Sequence, residues 1–324
     1  MGYLFRSEIL IGKIIARSVG VSYPAINASD IMSLPIPLPP LPEQTAIAAF
    51  LDLETAKIDG LVAEQRRLID LLREKRQAVI SHAVTRGLNP AAPLKPSGID
   101  WLGDVPEGWE VVQARRLIGA FEQGFSPECF AFPAAEGEWG VLKSGCVNRG
   151  IYRESENKAL PSNVEPKPQY EVAAGDVLMS RASGSPDLIG SVAIVDGTQG
   201  HILMSDKIFR LRLEPLVSSP FLFWMFASDP LRSQIVNSIS GADGMANNLP
   251  QSSIKEFICT LPPMVEQIEI ASFLTRTTAK LDTLTATAFS AIALLQERRA
   301  ALISAAVTGQ IDVRAATRSE LEPV

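Results

Sequence analysis

Two stretches of the chain carry apolar residues at helical spacing over more than forty positions. In the first, Leu51, Ile58, Leu61, Leu68, Leu72 and Val79 recur in a heptad pattern, with Ile47 and Val84 flanking. The second places Leu274, Leu281, Leu284, Ala291, Leu295 and Leu302 in the same register. Each stretch is entered through Leu-Pro-Pro, at Leu38 and Leu261, which cannot continue a helix and favours an extended entry. Glu43 and Glu266 follow, where a negative charge suits the first turn and the helix dipole. Beyond that entry neither stretch contains a proline, and Gly60 is the weak point of the first. At 1.5 Å per residue each helix is about 60–65 Å long. A lone helix of that kind needs a partner for its apolar stripe. The natural partner is the other copy, in an antiparallel coiled coil. Seven cations balance seven acids across residues 43–86, as on a solvated helix face.

The two stretches are copies of one another. Residues 38–85 align with 261–308 at a constant offset of 223 without a gap, and 26 of 48 positions are identical. The match continues more weakly upstream, with Ile31 and Leu34 opposite Ile254 and Phe257. The run Tyr3 to Val19, ended by Gly20, resembles Phe221 to Ile239, ended by Ser240 and Gly241. Self-similarity at a fixed offset marks a repeated architecture. The first copy begins partway through a unit whose full form appears once, at about 95–313.

Between the copies, LNPAAPLKPSGID after Gly87 reads as a linker. Short strand patterns follow at Glu110–Val112, Trp139–Leu142, Gly175–Ser180, Gly190–Val195 and Ile208–Leu213, separated by Gly, Pro and Asn/Asp turns. One helical pattern runs from Pro220 to Ile239, with proline suited to its first turn and Gly241 just past its end. The predicted fold class is α+β: a β-rich domain flanked by two long antiparallel coiled-coil helices. The predicted segments are 1–37, the end of a first β-rich domain; 38–88, the first long helix; 89–100, a linker; 101–262, the β-rich domain; 263–313, the second long helix; and 314–324, a tail.

Four phrases carry a family resemblance. GDVLMSRASGSPDLIGSVAIVDG looks like the strand-turn-strand of type I restriction-modification specificity subunits. SGIDWLGDVPEGWEVVQARRLI resembles the entry to their target recognition domains. NNLPQSSIKEFICTLPPMVEQ resembles the exit into a spacer helix, and ISAAVTGQIDVR their C-terminus. The resemblance covers nearly the whole chain, and the order of the phrases with the duplicated helix is highly specific. It implies a subunit without catalysis of its own that reads half of a bipartite site in double-stranded DNA. It also implies that the subunit scaffolds methyltransferase (M) and motor-nuclease (R) subunits in the cytoplasm. AdoMet, ATP and Mg²⁺ are then expected in those partners and not on this chain. In that family a complete first recognition domain precedes the first spacer helix, whereas about 37 residues stand there in this sequence. The expectation is therefore either a half-length subunit, able to pair as a homodimer through its spacer helices, or an inactive truncated product.

Composition tempers this reading. The 324 residues carry a net charge of −6, and residues 100–262 hold 13 Lys and Arg against 20 Asp and Glu, a net of −7. A protein relying on phosphate contacts is expected to be basic, although clustering can hide a basic stripe within an acidic total. The charge suits a rival reading, a DNA-free coiled-coil scaffold with a β-rich cargo domain. Base reading needs forked donors on loops or helix ends, and three segments supply them. Residues 143–153 offer Lys143, Ser144, Asn148, Arg149 and Arg153, and equally suit a hairpin with ordinary surface charges. Arg181 and Ser183 lie in a Gly/Ser turn after a strand, where backbone can approach phosphate. Asn247 and Asn248 lie in the loop from Gly241 to Leu249, and Lys207 and Arg210 flank or occupy a strand. Those segments suit structural turns and connections as well.

The sequence shows no catalytic constellation. It has no GxxxxGK[ST] loop and no Asn/Asp-Pro-Pro-aromatic tetrapeptide. His82 and His201 lie far apart, and Ala305 stands opposite His82 in the second copy. Cys129, Cys146 and Cys259 are odd in number and widely spaced, which fits buried thiols better than disulfides or a zinc site. No metal site is expected. No apolar run approaches the roughly 20 residues that span a bilayer, and no membrane association is expected.

Overall fold

A computed structural model describes residues 2–20, 22, 24–240 and 247–313. It divides into two units, Met1–Arg73 with Lys280–Val324, and Glu74–Ala279. In chain order the helices and strands begin with α1 (Glu8–Arg17), α2 (Ala28–Met32) and the long α3 (Leu41–Arg86). Strands β1 (Leu94–Pro96), β2 (Asp104–Pro106), β3 (Glu110–Gln113), β4 (Ile118–Gln123), β5 (Trp139–Leu142) and β6 (Asn157–Ala159) follow. Next come β7 (Val177–Ser180), β8 (Ala182–Ser183), β9 (Val192–Ile194), β10 (His201–Leu203) and β11 (Ile208–Leu213). The chain continues through α4 (Ser219–Ala227), α5 (Asp229–Asn237), β12 (Asn247–Asn248), α6 (Gln251–Glu256) and β13 (Ile258–Leu261) to the long α7 (Met264–Val307). No helix among the described residues is long and apolar enough to cross a membrane.

In the first unit, the start of α3 packs against the end of α7, so the helices run antiparallel. Ile47 and Leu51 share a core with Ile303, Ala306 and Val307, and Arg299 pairs with Asp59 at 3.0 Å. Leu4, Leu10 and Leu34 close that core from the N-terminal segment. In the second unit, the end of α3 (Ile80, Ala83, Val84) and the start of α7 (Ile270, Ala271, Leu274) join the main core of the β-rich domain. The hydroxyl of Thr260 donates to the Val84 carbonyl, and the Trp109 indole donates to Glu266 at 2.8 Å. Gly87 ends α3 at φ +76°, with Trp109 3.2 Å from where a side chain would begin. A left-handed residue after a helix favours glycine, and the buried indole leaves little room for anything larger.

The buried seam differs from the heptad read off the leucines. Along α3 the covered positions are Thr55, Ile58, Val62, Gln65, Ile69 and Leu72, alternating by three and four residues. Along α7 they are Thr278, Leu281, Thr285, Ala288, Ile292 and Leu295, each 223 residues later. Leu61, Leu68 and Leu284 instead stand 52%, 42% and 53% exposed. The seam carries threonines and a glutamine, so the leucines are an imperfect guide to it. The buried threonines return their hydroxyls to their own helix, Thr55 to the Leu51 carbonyl at 2.7 Å and Thr278 to the Leu274 carbonyl at 2.8 Å. Buried hydroxyls satisfied in this way add little cost.

The predicted helix from Pro220 to Ile239 is two helices, α4 and α5, meeting at Ser228. Pro230 lies in the first turn of α5, where its ring is tolerated, whereas within a continuous helix it would clash with the carbonyl four residues earlier. Buried Ser228 donates to the Met225 carbonyl at 2.6 Å. Ser7 does the same to Leu4 at 2.7 Å before α1. The equivalence extends to docking. The first amide of α5, Asp229 N, donates to Ser81 Oγ on α3 at 3.0 Å, and the first amide of α1, Glu8 N, donates to Ser304 Oγ on α7 at 3.1 Å. Ser81 and Ser304 are 223 residues apart, so each unit holds one copy of the same helix-docking contact. The Gln of each helix entry recurs too: Gln44 and Gln267 donate to the carbonyls of Pro39 and Pro262 at 2.8 and 2.9 Å.

Within the second unit the main sheet has order β4-β11-β7-β9, all antiparallel. Val177, Met179, Phe209 and Leu211 face α4 and α5. Leu178, Ala193 and Ile208 face a second core with Leu142, Cys146, Val147 and Ile202, supplied partly by the sheet β10-β5-β6, in which β10 runs parallel to β5. With both faces covered, β7 reads as a continuous apolar run, as two-sided burial requires. Burial pushes the Cys146 and Cys259 thiols up to about 12.

Arg210 sits on the second face of β11 with its side chain 5% exposed. It donates to Glu122 at 2.7 Å, Asp176 at 2.9 Å and the carbonyls of Glu171 and Gln169 at 2.8 and 2.9 Å. A buried charge is tolerated when it is so fully paired. This side chain ties β4, β11 and the turn before β7 together and is not a phosphate ligand. Bonds from Arg212, opposed by burial and aided by Arg210, hold the Glu122 carboxyl below its ordinary value.

Three expectations follow. Ile58→Ala lowers the unfolding free energy in urea by about 2–5 kcal/mol, whereas Leu61→Ala changes it by no more than about 0.5 kcal/mol; the reverse order would restore the leucine register. Arg210→Met costs about 3–5 kcal/mol, because buried Asp176 loses its shorter, buried ion pair and keeps only Arg212 at 3.4 Å. Since the folded Glu122 binds its proton less readily than the unfolded one, its contribution is present above its ordinary value and lost as pH falls through the folded one. Acid unfolding of Glu122→Gln is therefore less steep than that of the unaltered chain, and an equal slope would remove Glu122 from the network.

Candidate nucleic-acid interface

Apart from Arg210, the residues singled out in the sequence fall into three neighbouring groups. Lys143 ends the segment leaving β5, and Ser144–Gly150 form 3₁₀ turns in place of a hairpin. The reason lies in Cys146 and Val147, which turn down into the second core and pull the backbone into a tight helical path. Asn148 leaves the helical region, and Arg149 adopts φ 59°, ψ 28°, the left-handed conformation rarely taken by a side chain larger than Asn. Gly150 follows at φ +77° against Phe223. Arg149 is exposed. Arg153 is half-buried and closes the loop, its amide donating to the Cys146 carbonyl at 2.8 Å and its guanidinium to the Asn148 carbonyl at 3.0 Å. It is therefore committed to holding the turn that presents Arg149.

Lys143, Ser144 and Lys207 come together around a pocket of about 340 Å³ between the 3₁₀ turns, β6 and the turn before β11. Ser126, Cys129, Lys158 and Ser205 complete its polar lining. Lys207 Nζ lies 2.9 Å from Asp206, and Lys143 Nζ lies 3.9 Å from Glu156. Ser126 donates its hydroxyl to Asp206. Burial works against the Asp206 carboxylate, but the bonds from Ser126 and Lys207 outweigh it and hold that carboxyl below its ordinary value.

Arg181 and Ser183 open onto the third group. Ser183 pairs with Asn247, and Ala182 with Asn248, in the two-stranded ribbon β8-β12. The Leu249 amide donates to the Arg181 carbonyl at 2.9 Å, and the Ser185 amide donates to Ser183 Oγ at 3.3 Å. The part of the predicted loop from Gly241 to Ala246 lies outside the described residues. Arg181 joins this ribbon to the pocket: its amide donates to the Lys207 carbonyl at 2.8 Å, and its guanidinium lies 5.8 Å over the Phe209 ring. Arg181 is thus tied to Lys207, and Lys207 lines one pocket with Lys143 and Lys158, within a domain that is acidic in total; Arg149 stands exposed on the adjoining 3₁₀ turns.

Lys158, Ser126 and Ser205 were not apparent from the sequence. Lys158 stands outward between buried Asn157 and Ala159 on β6, a strand too short to show alternation. Ser205 is an isolated serine before a turn. A larger pocket of about 670 Å³ elsewhere in the domain is lined by Glu154 and Asp196, the wrong sign for phosphate. His82 is exposed on α3. His201 stacks on Trp139 and bonds Glu171 at 2.7 Å. Among the described residues no three His, Cys, Asp or Glu side chains converge to hold a metal ion.

A family model described as type I restriction modification DNA specificity domain matches residues 2–63 and 106–291. The chain is 31% identical over 206 residues to the type I restriction enzyme EcoEI specificity subunit of Escherichia coli, covering 63% of this chain and 34% of that protein. It is 23% identical over 319 residues to the EcoKI specificity subunit of Escherichia coli strain K12, covering 96% and 65%. The chain thus spans between one third and two thirds of the length of these relatives. A structure from work on complex assembly and conformational transition of the type I R-M system shares the fold, with a TM-score of 0.71 at 19% identity over 94% of this chain and 70% of that one. The HsdS subunit from Thermoanaerobacter tengcongensis gives a TM-score of 0.54 at 19% identity, over 95% and 69%. The family match falls on the N-terminal segment with the first half of α3, and again on the β-rich domain with most of α7, and on that evidence the chain belongs to the type I restriction modification DNA specificity domain family.

Proposed function

We propose that this chain supplies sequence specificity to a type I restriction-modification assembly. Its β-rich domain reads one half of a bipartite site in double-stranded DNA, and its paired helices scaffold methyltransferase and motor-nuclease subunits. The observation that carries this reading is the gathering of Lys143, Lys158 and Lys207 at one pocket, with Arg181 bonded to Lys207 and Arg149 on the adjoining turns, in a domain that matches the specificity family. Arg149 and Arg181 are forked donors of the kind that read guanine edges in the major groove, while Lys143 and Lys207 are point charges better suited to phosphate. The family match does not favour the DNA-free scaffold.

The chain acts without catalysis of its own. AdoMet, ATP and Mg²⁺ belong to partner subunits in this reading, and the assembly works in the cytoplasm. Two copies of the chain, paired through their spacer helices, would bring two identical reading domains to one duplex. The net charge of −7 within residues 100–262 supports weak DNA binding by the chain alone, with methyltransferase subunits contributing much of the phosphate neutralisation.

Co-expression with a type I methyltransferase, followed by mapping of methylated adenines, tests the reading. A split motif is expected, palindromic if two copies pair and asymmetric if they do not. Tight, salt-sensitive binding is expected of the complex and not of the chain alone. Methylation without a sequence motif would contradict the specificity role, and nanomolar binding by the purified chain at physiological salt would contradict the shared neutralisation.

A further inference from the structure

The pocket beside Lys143 has a property that the reading surface as a whole lacks. Its lining includes three lysines, Lys143, Lys158 and Lys207, and no acidic residue. These lysines come from three separate segments: the end of β5, the middle of β6 and the turn before β11. Two acids beside these lysines are already engaged, Asp206 by Ser126 and Lys207, and Glu156 by Lys143. The floor is formed in part by Ser205, which is 4% exposed. Its hydroxyl makes no hydrogen bond with any protein group, although a buried hydroxyl is costly to leave unpaired. Ser205 is one of the residues that line the pocket.

We propose that this pocket seats a phosphate group, with Lys143, Lys158 and Lys207 balancing its charge and the Ser205 hydroxyl donating to one of its oxygens. Resting on the DNA-specificity reading, the inference takes the phosphate from the DNA backbone, so that the pocket fixes the register of the reading domain while Arg149 and Arg181 address bases. Phosphate contacts of this kind position a protein on the duplex without carrying sequence information themselves. A partly enclosed seat also gives each lysine more electrostatic effect than full exposure to water allows.

Two variants of the full chain and two probes test this. The variants are the triple substitution Lys143→Gln, Lys158→Gln, Lys207→Gln, and the single substitution Ser205→Ala. With inorganic phosphate at matched ionic strength, the thermal midpoint of the unaltered chain is expected to rise. The rise should vanish in the triple variant and shrink in Ser205→Ala, whose midpoint without phosphate should be no lower than that of the unaltered chain. With a DNA duplex and the chain in complex with methyltransferase subunits, the slope of log affinity against log salt should fall by about 0.9 in the triple variant, as for one lost phosphate contact. An equal phosphate-induced rise in all three proteins overturns the seat. A rise lost in the triple variant with an unchanged DNA slope overturns the DNA source and assigns the pocket to a free phosphate. Should the unaltered complex bind no DNA, the specificity reading fails, and the phosphate arm still decides the seat.

Discussion

A helix of more than forty residues keeps its shape in water only while its apolar stripe is covered, and α3 and α7 meet this constraint with one another. In each unit the start of one helix lies against the end of the other, and the rest of the protein is attached where they meet. The covered positions recur at an offset of 223 in both helices, so duplication of one segment produced two surfaces that fit when run antiparallel. The attachment is duplicated as well. Ser81 and Ser304 each receive the first amide of a short helix, and buried Ser228 and Ser7 precede those helices in the same conformation. The N-terminal segment is thus held by α7 in the way that the β-rich domain is held by α3.

The β-rich domain answers a different problem. The proposed DNA role needs cations presented from a chain with a surplus of acids. Much of that surplus is consumed internally: Glu122 and Asp176 neutralise Arg210, Glu266 accepts from Trp109, and Asp206 is bound by Ser126 and Lys207. Lys143, Lys158 and Lys207 gather at one pocket whose lining residues include no acid. Net charge alone was a poor guide to this, because it weighs a carboxylate locked in a network equally with one facing solvent.

The sequence revealed the repeat, the long helices and the positions of the principal strands, since each leaves a periodic or self-similar trace. It misplaced part of the seam because Leu61 and Leu68 are more conspicuous than Thr55 and Gln65, and polar residues at seam positions break a purely apolar pattern. It merged α4 and α5 because their apolar residues run on through Ser228, although Pro230 marked the break. The site was legible in part. Lys143, Lys207, Arg149 and Arg181 stood out by charge and by the turns around them. Lys158 and Ser205 did not, because their importance comes from β6 and the turn before β11 being folded onto the same pocket, a long-range relation without a local signal. Arg210 showed the opposite error, its charge suggesting DNA while its burial assigns it to the sheet.

In the proposed role, residues 101–262 alone determine which half-site is read. Exchanging these residues for the corresponding domain of a specificity subunit with a known and different half-site, and mapping the methylated sequences, tests it most directly. The half-site is expected to change to that of the donor while the spacing between half-sites stays the same. An unchanged half-site after the exchange, in a complex that still methylates DNA, would contradict it.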